Sequence, residues 1–174
     1  MKRNIQIGVI GSSGNNLDQE SCKLAKEIGK EIAKLGCVLV FGQEEGVDSI
    51  SQIAARMAIK KGGQTIAFLH TNNLKNIIPQ SIRISTGQIK GGGRELALIL
   101  SSDVIISVGG ASGTLMEITM AYQANIPIIA LGESGGWSSK LAGKFLDGRK
   151  RLKIISVKSP KEAVNTAILL SKSL

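Results

Sequence analysis

The chain has 174 residues, 43% of them apolar and 20% charged, and its formal net charge is +9. This length suits one packed domain over residues 1–174, and the positive charge indicates an anionic partner. The basic residues are spread out and only 144–153 is dense in them, so we interpret that segment as a solvated face. One Trp, one Tyr and three Phe are few for stacking on bases, and we do not expect a nucleic-acid partner.

The two cysteines and the single histidine limit the metal sites, disulfides and catalytic triads that the chain could form. Cys22 and Cys37 are the only cysteines and show neither metal-ligand spacing nor a disulfide framework, which fits a reducing cytoplasm. His70 is the only histidine, and nothing near it suggests a zinc site or a Ser-His-Asp triad. The sequence shows no signal peptide and no apolar run that could span a membrane. We therefore expect a cytoplasmic protein with no metal site and no membrane partner.

Apolar runs and helically spaced apolar residues alternate along the chain. The runs predict strands, and the spaced residues predict helices that end near glycines. The predicted strands cover 5–10, 38–41, 65–69, 82–85, 104–108, 126–131 and 152–157. The predicted helices cover 17–35, 47–61, 94–102, 113–124, 138–146 and 160–171, the last with Pro160 as its first residue.

The strands are apolar throughout rather than alternating, which is typical of a parallel sheet that is covered on both faces. The sequence therefore predicts an α/β, Rossmann-like, doubly wound fold with a mainly parallel sheet of about seven strands and helices on both faces. Ligands of such folds bind beyond the carboxyl ends of the strands. The loops of interest are those that start at Gly11, Gly42, His70, Gly109 and Gly132.

The strongest candidate for a ligand site is the turn that follows the strand over 104–108. Gly109 and Gly110 let the backbone approach a ligand, and the helix that follows presents free N–H groups and the positive end of its dipole. Gly113 lies in the same turn, and the hydroxyls of Ser112 and Thr114 can donate to phosphate oxygens. The segment therefore predicts a phosphate-binding site.

Glu117 lies one helical turn past Thr114 and is open to two interpretations. Its carboxylate could accept from a ribose hydroxyl, or stabilise positive charge at the sugar carbon. Alternatively, Thr114 and Glu117 form a capping box, in which Glu117 only bonds back to the Thr114 N–H. The residues alone leave both interpretations open.

Two further segments could supply ligand contacts. Arg94 follows the glycines 91–93 at a predicted helix start, where its charge opposes the helix dipole. It is either a bidentate phosphate ligand or a surface arginine paired with Glu95. Gly11, Ser12 and Ser13 form either a donor-rich ligand loop or an ordinary strand-to-helix turn.

Three other features bear on partners and on the pocket. The loop 43–45 contains Glu44 and Glu45, which suit the start of the second helix but would repel a phosphate. The helix over 113–124 is apolar on more than one side, which predicts a homo-oligomer, a dimer or a tetramer, built partly on this helix. Trp137 is either a lid over the pocket or a packed residue.

These residues together resemble the Lonely Guy or lysine decarboxylase-like superfamily, in particular its small bacterial and archaeal branch near the molybdenum cofactor carrier proteins. DNA-processing protein A is a more distant relative. The resemblance covers about 5–157 and depends on three motifs: Gly11-Ser12-Ser13, Arg94, and Gly109-Gly110-x-x-Gly113-Thr114-x-x-Glu117.

The resemblance implies a nucleotide-binding protein with Arg94 and Glu117 as the catalytic pair of a nucleoside 5′-monophosphate phosphoribohydrolase. The backbone at Gly110, Gly113 and Thr114 would then hold the 5′-phosphate. The alternative is a non-catalytic carrier or sensor of a phosphorylated pterin, such as the molybdenum cofactor, or of a nucleotide. No cofactor is required for the reaction, and the expected ligand is a nucleotide or a molybdopterin-type molecule.

The sequence departs from the family enzymes at three places. Glu95 stands where they have lysine, and Val108 stands where they have proline. Gln43-Glu44-Glu45 replaces a glycine triplet after the second strand, and this change could narrow or acidify the pocket.

Overall fold

The computed structural model describes residues 3–71, 77–88 and 92–171. Gly91 of the predicted glycine turn lies outside these residues. Within them the order of strands and helices is β1 (Gln6–Gly11), α1 (Gln19–Lys34), β2 (Val38–Gly42), α2 (Ile50–Lys60), β3 (Gln64–Leu69), β4 (Ile82–Ser85), α3 (Gly93–Leu100), β5 (Val104–Val108), α4 (Ser112–Gln123), β6 (Ile128–Leu131), α5 (Gly136–Leu141), β7 (Ile155–Val157) and α6 (Pro160–Ser171). Strands and helices alternate, except that β4 follows β3.

All seven strands pair in parallel in one sheet with the order β4-β3-β2-β1-β5-β6-β7. This confirms the predicted α/β, Rossmann-like fold. The strand order reverses between β1 and β5, so the connections after these two strands leave toward opposite faces and a crevice opens between them. A ligand of such a fold is therefore expected beyond the ends of β1 and β5.

The helices cover both faces of the sheet. Helices α1, α2 and α6 bury Ile28, Ala54 and Val164 in one core, and α3 and α4 bury Leu98 and Ile118 in the other. Each helix turns one apolar stripe to the sheet, and burial of that surface stabilises the fold. Among the described residues, no helix combines the length and the apolar character that crossing a bilayer requires.

The element bounds agree with the sequence prediction within a few residues, and the differences have local causes. Helix α2 begins at Ile50 because the Ser49 side chain accepts from the Gln52 N–H and caps it. Helix α5 ends at Leu141, earlier than predicted, because the next residue is extended, with ψ of 127°, and leads the chain out of the helix. Strand β4 is an exposed edge strand rather than a buried one.

Candidate functional site

A cavity of about 550 Å³ lies at the reversal of strand order, a size typical of small-molecule sites. Its walls come from the loops after β1, β2, β5 and β6 and from the start of α3. The cavity brings together nearly all the residues that the sequence analysis singled out, namely Gly11, Ser12, Ser13, Arg94, Gly109, Gly110, Gly113, Thr114 and Glu117. Ser112 does not line it; this residue opens α4 with an exposed side chain.

The turn after β5 depends on two glycines with positive φ, 63° at Gly109 and 94° at Gly110. A Cβ atom at Gly109 would lie 2.7 Å from Oγ of Ser12. A Cβ atom at Gly110 would lie 2.3 Å from Oγ1 of Thr114. Both the backbone conformation and the space available therefore require glycine.

The polar atoms of this turn are occupied by the protein itself. The Gly109 N–H donates to Oγ of Ser134 at 2.9 Å, and the Gly110 N–H donates to Oγ of Ser12 at 2.8 Å. The two carbonyls accept from the amides at the start of α5, Ser138 on Gly109 and Trp137 on Gly110, both at 3.0 Å. The glycines thus set the shape of the turn, and their amides are not the ones that face a ligand.

The open amides belong to the first turn of α4. Ser112, Gly113 and Thr114 are its first three residues, and their N–H groups have no acceptor within the helix. The N-cap residue Ala111 offers no side-chain cap, and the first amide to donate back is that of Leu115, to Ala111. Together with the positive end of the helix dipole, free amides of this kind are the groups that bind anions at helix N-termini.

The capping-box interpretation of Thr114 and Glu117 is wrong. Thr114 is the third residue of α4 and not its N-cap, so it cannot begin a capping box. Glu117 therefore lies in the second turn of the helix, half-buried, and lines the cavity.

Arg94 is a buried residue, with 3% of its surface exposed, and not the surface arginine of the alternative interpretation. Its Nη2 donates to Oε1 of Glu44 and to Oε1 of Glu95, each at 2.7 Å, and its Nε donates to the same Glu95 oxygen at 3.1 Å. Its Nη1 lies 1.8 Å from the place of a Cβ at Gly42, so only glycine leaves room for the guanidinium there. The pairing with Glu95 was predicted; that with Glu44 was not.

Glu44, Arg94 and Glu95 form a buried ion triplet with a formal charge of −1. Burial alone would lower the pKa of Arg94, but the two carboxylates outweigh it and raise this pKa above its ordinary value. Burial alone would raise the pKa of Glu95, but Arg94 and backbone N–H groups lower it below its ordinary value. One of these is the Gly92 N–H, which donates to Oε2 of Glu95 at 3.0 Å and so caps α3.

Two more acidic residues, Asp18 and Glu117, line the cavity. Asp18 also caps α1 by accepting from the Ser21 N–H at 2.8 Å. Among the described residues, no three His, Cys, Asp or Glu side chains are grouped so that they could hold a metal ion.

The remaining candidates lie elsewhere. His70 does not line the cavity, and its two ring nitrogens are buried without a hydrogen-bond partner in the part of the chain that the structure describes. Trp137 is also not part of the lining; its ring packs 4.7 Å from Nζ of Lys140. The sequence analysis missed Ser134, although it pointed to the loop that starts at Gly132.

Comparison with known proteins gives the family. The model of the SLOG cluster4 family matches residues 4–164. The chain belongs to this family. The match confirms the resemblance to the Lonely Guy-like superfamily. This chain also shares its fold with molybdenum cofactor carrier proteins, the branch that the sequence analysis named.

One relative, an uncharacterized protein of Archaeoglobus fulgidus, is 36% identical over 128 residues, which are 73% of this chain and 80% of the relative. The molybdenum cofactor binding protein of the phototrophic bacterium Rippkaea orientalis is 28% identical, with a TM-score of 0.81 over 98% of this chain and 99% of that one. The molybdenum cofactor carrier protein of Chlamydomonas reinhardtii is 27% identical, with a TM-score of 0.76 over 97% and 98%.

Proposed function

We propose that this SLOG cluster4 protein binds a small phosphorylated ligand, a nucleotide or a phosphorylated pterin, with the phosphate on the first turn of α4. The observation that carries the proposal is the set of first-turn amides of α4 that have no intrahelical acceptor, of which those of Gly113 and Thr114 lie in the lining of the cavity. Hydroxyls of Ser12 and Thr114 border the same space. Ser12 accepts from Gly110, so its own hydroxyl hydrogen can be donated to a phosphate oxygen.

Within this proposal we favour a carrier or sensor of a molybdopterin-type ligand. The similar proteins from Rippkaea orientalis and Chlamydomonas reinhardtii are named as a molybdenum cofactor binding protein and a molybdenum cofactor carrier protein. The triplet also favours it, because Arg94 already donates three hydrogen bonds to Glu44 and Glu95 and would have to give up some of them to clamp a phosphate. The ligand's metal would be cargo, held by the pterin rather than by the protein.

Phosphoribohydrolase activity is the second candidate, because Arg94 and Glu117 line one cavity. In that reaction the glycosidic bond breaks with its electron pair leaving on the base, and positive charge develops at the sugar carbon. Glu117 would stabilise this charge or orient the attacking water, and Arg94 would orient the substrate through Nη1. Water supplies the hydroxyl of the ribose 5-phosphate product and the proton of the free base.

One set of measurements tests both candidates. We expect ribose 5-phosphate and nucleoside 5′-monophosphates to bind in calorimetric titrations at low salt, and the purified protein to carry or protect a fluorescent pterin. If none of these probes binds, the proposed function is wrong.

For the hydrolase, chromatography should show free base after incubation with the nucleotides, and Glu117→Ala should abolish this release of base. Exposed Glu20, which does not line the cavity, gives the matched control Glu20→Ala.

We also propose that the protein is a homo-oligomer, a dimer or a tetramer, which forms partly through α4. Helix α4 buries Ile118 and Tyr122 toward the sheet, and the neighbouring α3 exposes 42% of Leu96 and 60% of Leu100. Light scattering during size-exclusion chromatography tests this, and a monomer at micromolar concentration would contradict it.

We propose a cytoplasmic compartment, because free thiols such as those of Cys22 and Cys37 are typical of a reducing environment.

A further inference from the structure

The basic loop, residues 144–153, is dense in positive charge and was interpreted from the sequence as a solvated face. Five of its ten residues are Lys or Arg, and Asp147 is its one acidic residue. All five cationic side chains are exposed, and Phe145 exposes 41% of its surface among them. The way the loop is held, and the partners of its charges, favour a different interpretation.

Asp147 anchors the basic loop to the core. Its Oδ1 accepts from the hydroxyl of the buried Tyr122 at 2.6 Å and from the Arg149 N–H at 2.9 Å, and its Oδ2 accepts from Nε of Arg149 at 2.9 Å. The hydrogen bonds from Arg149 and Tyr122 lower the pKa of Asp147 from its ordinary value of 3.8 to about 2, so the carboxylate stays charged. The guanidinium of Arg151 also lies over the Tyr122 ring, 5.6 Å from its centroid.

The two arms of the basic loop are joined to each other as well. The Ile154 N–H donates to the Lys144 carbonyl at 2.9 Å, and Phe145 and Lys153 form an antiparallel bridge. Lys150 has a φ of 51°, which is uncommon for a residue with a Cβ and which glycine or asparagine adopts at lower cost. The local backbone therefore gives no reason for a lysine at this position, which favours a use for the cation itself.

The cations of the basic loop differ in their partners. Arg149 is paired with Asp147, and Arg151 donates to neutral oxygens at and after the end of α4. The remaining three form no ion pair with any residue that the structure describes, namely Lys144, Lys150 and Lys153. Lysines are flexible point charges, whereas the planar fork of arginine is the better match for phosphate, and one exposed aromatic residue offers little stacking area to bases. The chemistry favours an acidic protein segment over a nucleic acid.

The basic loop lies at the end of the sheet opposite the cavity. The strands are all parallel, and the loop leads into the amino end of β7, whereas the cavity is built from loops at the carboxyl ends of other strands. All residues of the basic loop are described by the structure, and none of them lines the cavity. A partner bound there would therefore leave the cavity open.

We propose that the basic loop is a docking surface for an acidic segment of another protein, with Phe145 in contact with an apolar side chain of that segment. The three unpaired lysines attract the segment, and the anchored backbone reduces the ordering that binding requires. This inference goes beyond the proposed function and does not depend on which ligand the cavity holds.

Fluorescence anisotropy at low ionic strength tests the proposal. The probe is a short fluorescein-labelled peptide of alternating Asp and Glu around one Leu, and we expect it to bind the full chain. The triple variant Lys144→Gln, Lys150→Gln, Lys153→Gln should weaken this binding about 10-fold, because it removes the unpaired cations of the basic loop.

The matched control removes three positive charges from another surface. Lys26, Lys60 and Lys61 are exposed on α1 and at the end of α2, outside the basic loop. The control Lys26→Gln, Lys60→Gln, Lys61→Gln lowers the net charge by the same amount and should weaken peptide binding about 2-fold or less, because distant exposed charges are screened.

A further variant, Tyr122→Phe, removes the hydroxyl that donates to Asp147 and leaves every charge in place. It should weaken peptide binding about 3-fold, because the basic loop loses part of its anchor. Thermal unfolding checks that each variant is folded, and ribose 5-phosphate binding in the cavity should be the same in all of them.

Four outcomes overturn the proposal. The first is no binding of the peptide at low ionic strength, and the second is an equal loss of affinity in the two triple variants, which would assign binding to net charge alone. The third is unchanged peptide binding in folded Tyr122→Phe. The fourth is tighter binding of a dT oligonucleotide of similar length that depends on the same three lysines, which would identify a nucleic-acid surface. None of these outcomes bears on the phosphate site at α4.

Discussion

The two ends of the cavity are built in different ways. At the α4 end the shape comes from the backbone of 109–114, and single serine hydroxyls from neighbouring loops hold the glycine amides in place. At the β2 end the shape comes from long side chains, Glu44, Arg94 and Glu95, on two different elements. The first end needs exact backbone geometry, whereas the second needs a balance of buried charge.

The difference predicts different responses to substitution. Loss of the Arg94 guanidinium removes the ion pairs that two largely buried carboxylates make with it, which costs several kcal/mol and depends on pH. A change in the glycine turn adds steric and conformational strain, which costs less and does not depend on pH.

The largest expected effect is that of Arg94→Met. Removal of the guanidinium leaves Glu44 and Glu95 buried together, and we expect the free energy of unfolding at pH 7 to fall by about 3–5 kcal/mol. Urea denaturation measures this loss. The control Arg56→Met removes an exposed ion pair with Asp48 and should cost less than about 1 kcal/mol. Equal losses in the two variants would show that the triplet does not stabilise the fold.

The cost of Arg94→Met should also depend on pH. In the unmodified protein Arg94 helps hold the pKa of Glu95 below its ordinary value of 4.5, so the triplet's contribution is present above pH 4.5 and is lost as the pH falls. In the variant, the Coulombic and hydrogen-bond contributions of Arg94 are lost, so the pKa of Glu95 is higher than in the unmodified protein and less stability is gained as the pH rises through 4.5. The difference between the two proteins should therefore shrink on acidification, and a constant difference from pH 7 to pH 4 would contradict this account.

The backbone end of the site could be predicted from the sequence, because its signals are local. Gly109 and Gly110 follow a β-branched strand directly, and the helix that follows them has its own periodicity. The parallel sheet also follows from apolar runs and helical segments along the chain, whereas the order of its strands was not predicted. Helix α4 begins at Ser112, one residue before the predicted start, and the position of its N-cap decided between the two interpretations of Glu117.

The charged end could not be predicted, because it depends on tertiary contacts. Glu44 and Arg94 are far apart in sequence, and no sequence pattern indicates that Gly42 leaves room for the guanidinium of Arg94. The acidic loop was predicted to repel a phosphate, yet Glu44 is paired with the one cation of the described lining. Similarly, only the folded chain shows that Ser134 takes the Gly109 amide.

The next largest effect is expected for Gly110→Ala. The φ of 94° disfavours any residue with a Cβ, and this Cβ would overlap the side chain of Thr114, so we expect a loss of about 2 kcal/mol or more and no binding of ribose 5-phosphate. The control Gly148→Ala places its methyl group in open space and should change the stability by less than about 0.5 kcal/mol. Binding of ribose 5-phosphate by Gly110→Ala would show that the turn tolerates a different shape.

A smaller effect is expected for Ser134→Ala. The substitution removes the acceptor of the Gly109 N–H and leaves this amide unsatisfied, which should cost about 1–2 kcal/mol and weaken ribose 5-phosphate binding severalfold. Ser139→Ala is the matched control, because Ser139 accepts from the Gly135 amide in an exposed position where water can replace it. Unchanged affinity in Ser134→Ala would mean that the turn keeps its shape without this hydrogen bond.

The smallest effect on stability, and of opposite sign, is expected for Gly113→Ala. Gly113 is the second residue of α4, and a Cβ there would meet no atom within 4 Å, so alanine should stabilise the helix by about 0.5 kcal/mol. The same methyl group would project beside the open amides, in the space that we assign to the phosphate, and should weaken ribose 5-phosphate binding about 10-fold. Thermal unfolding and calorimetry on the same sample separate the two effects. Greater stability with undiminished binding would place the anion away from α4, since a methyl group cannot share the space of a phosphate held by these amides.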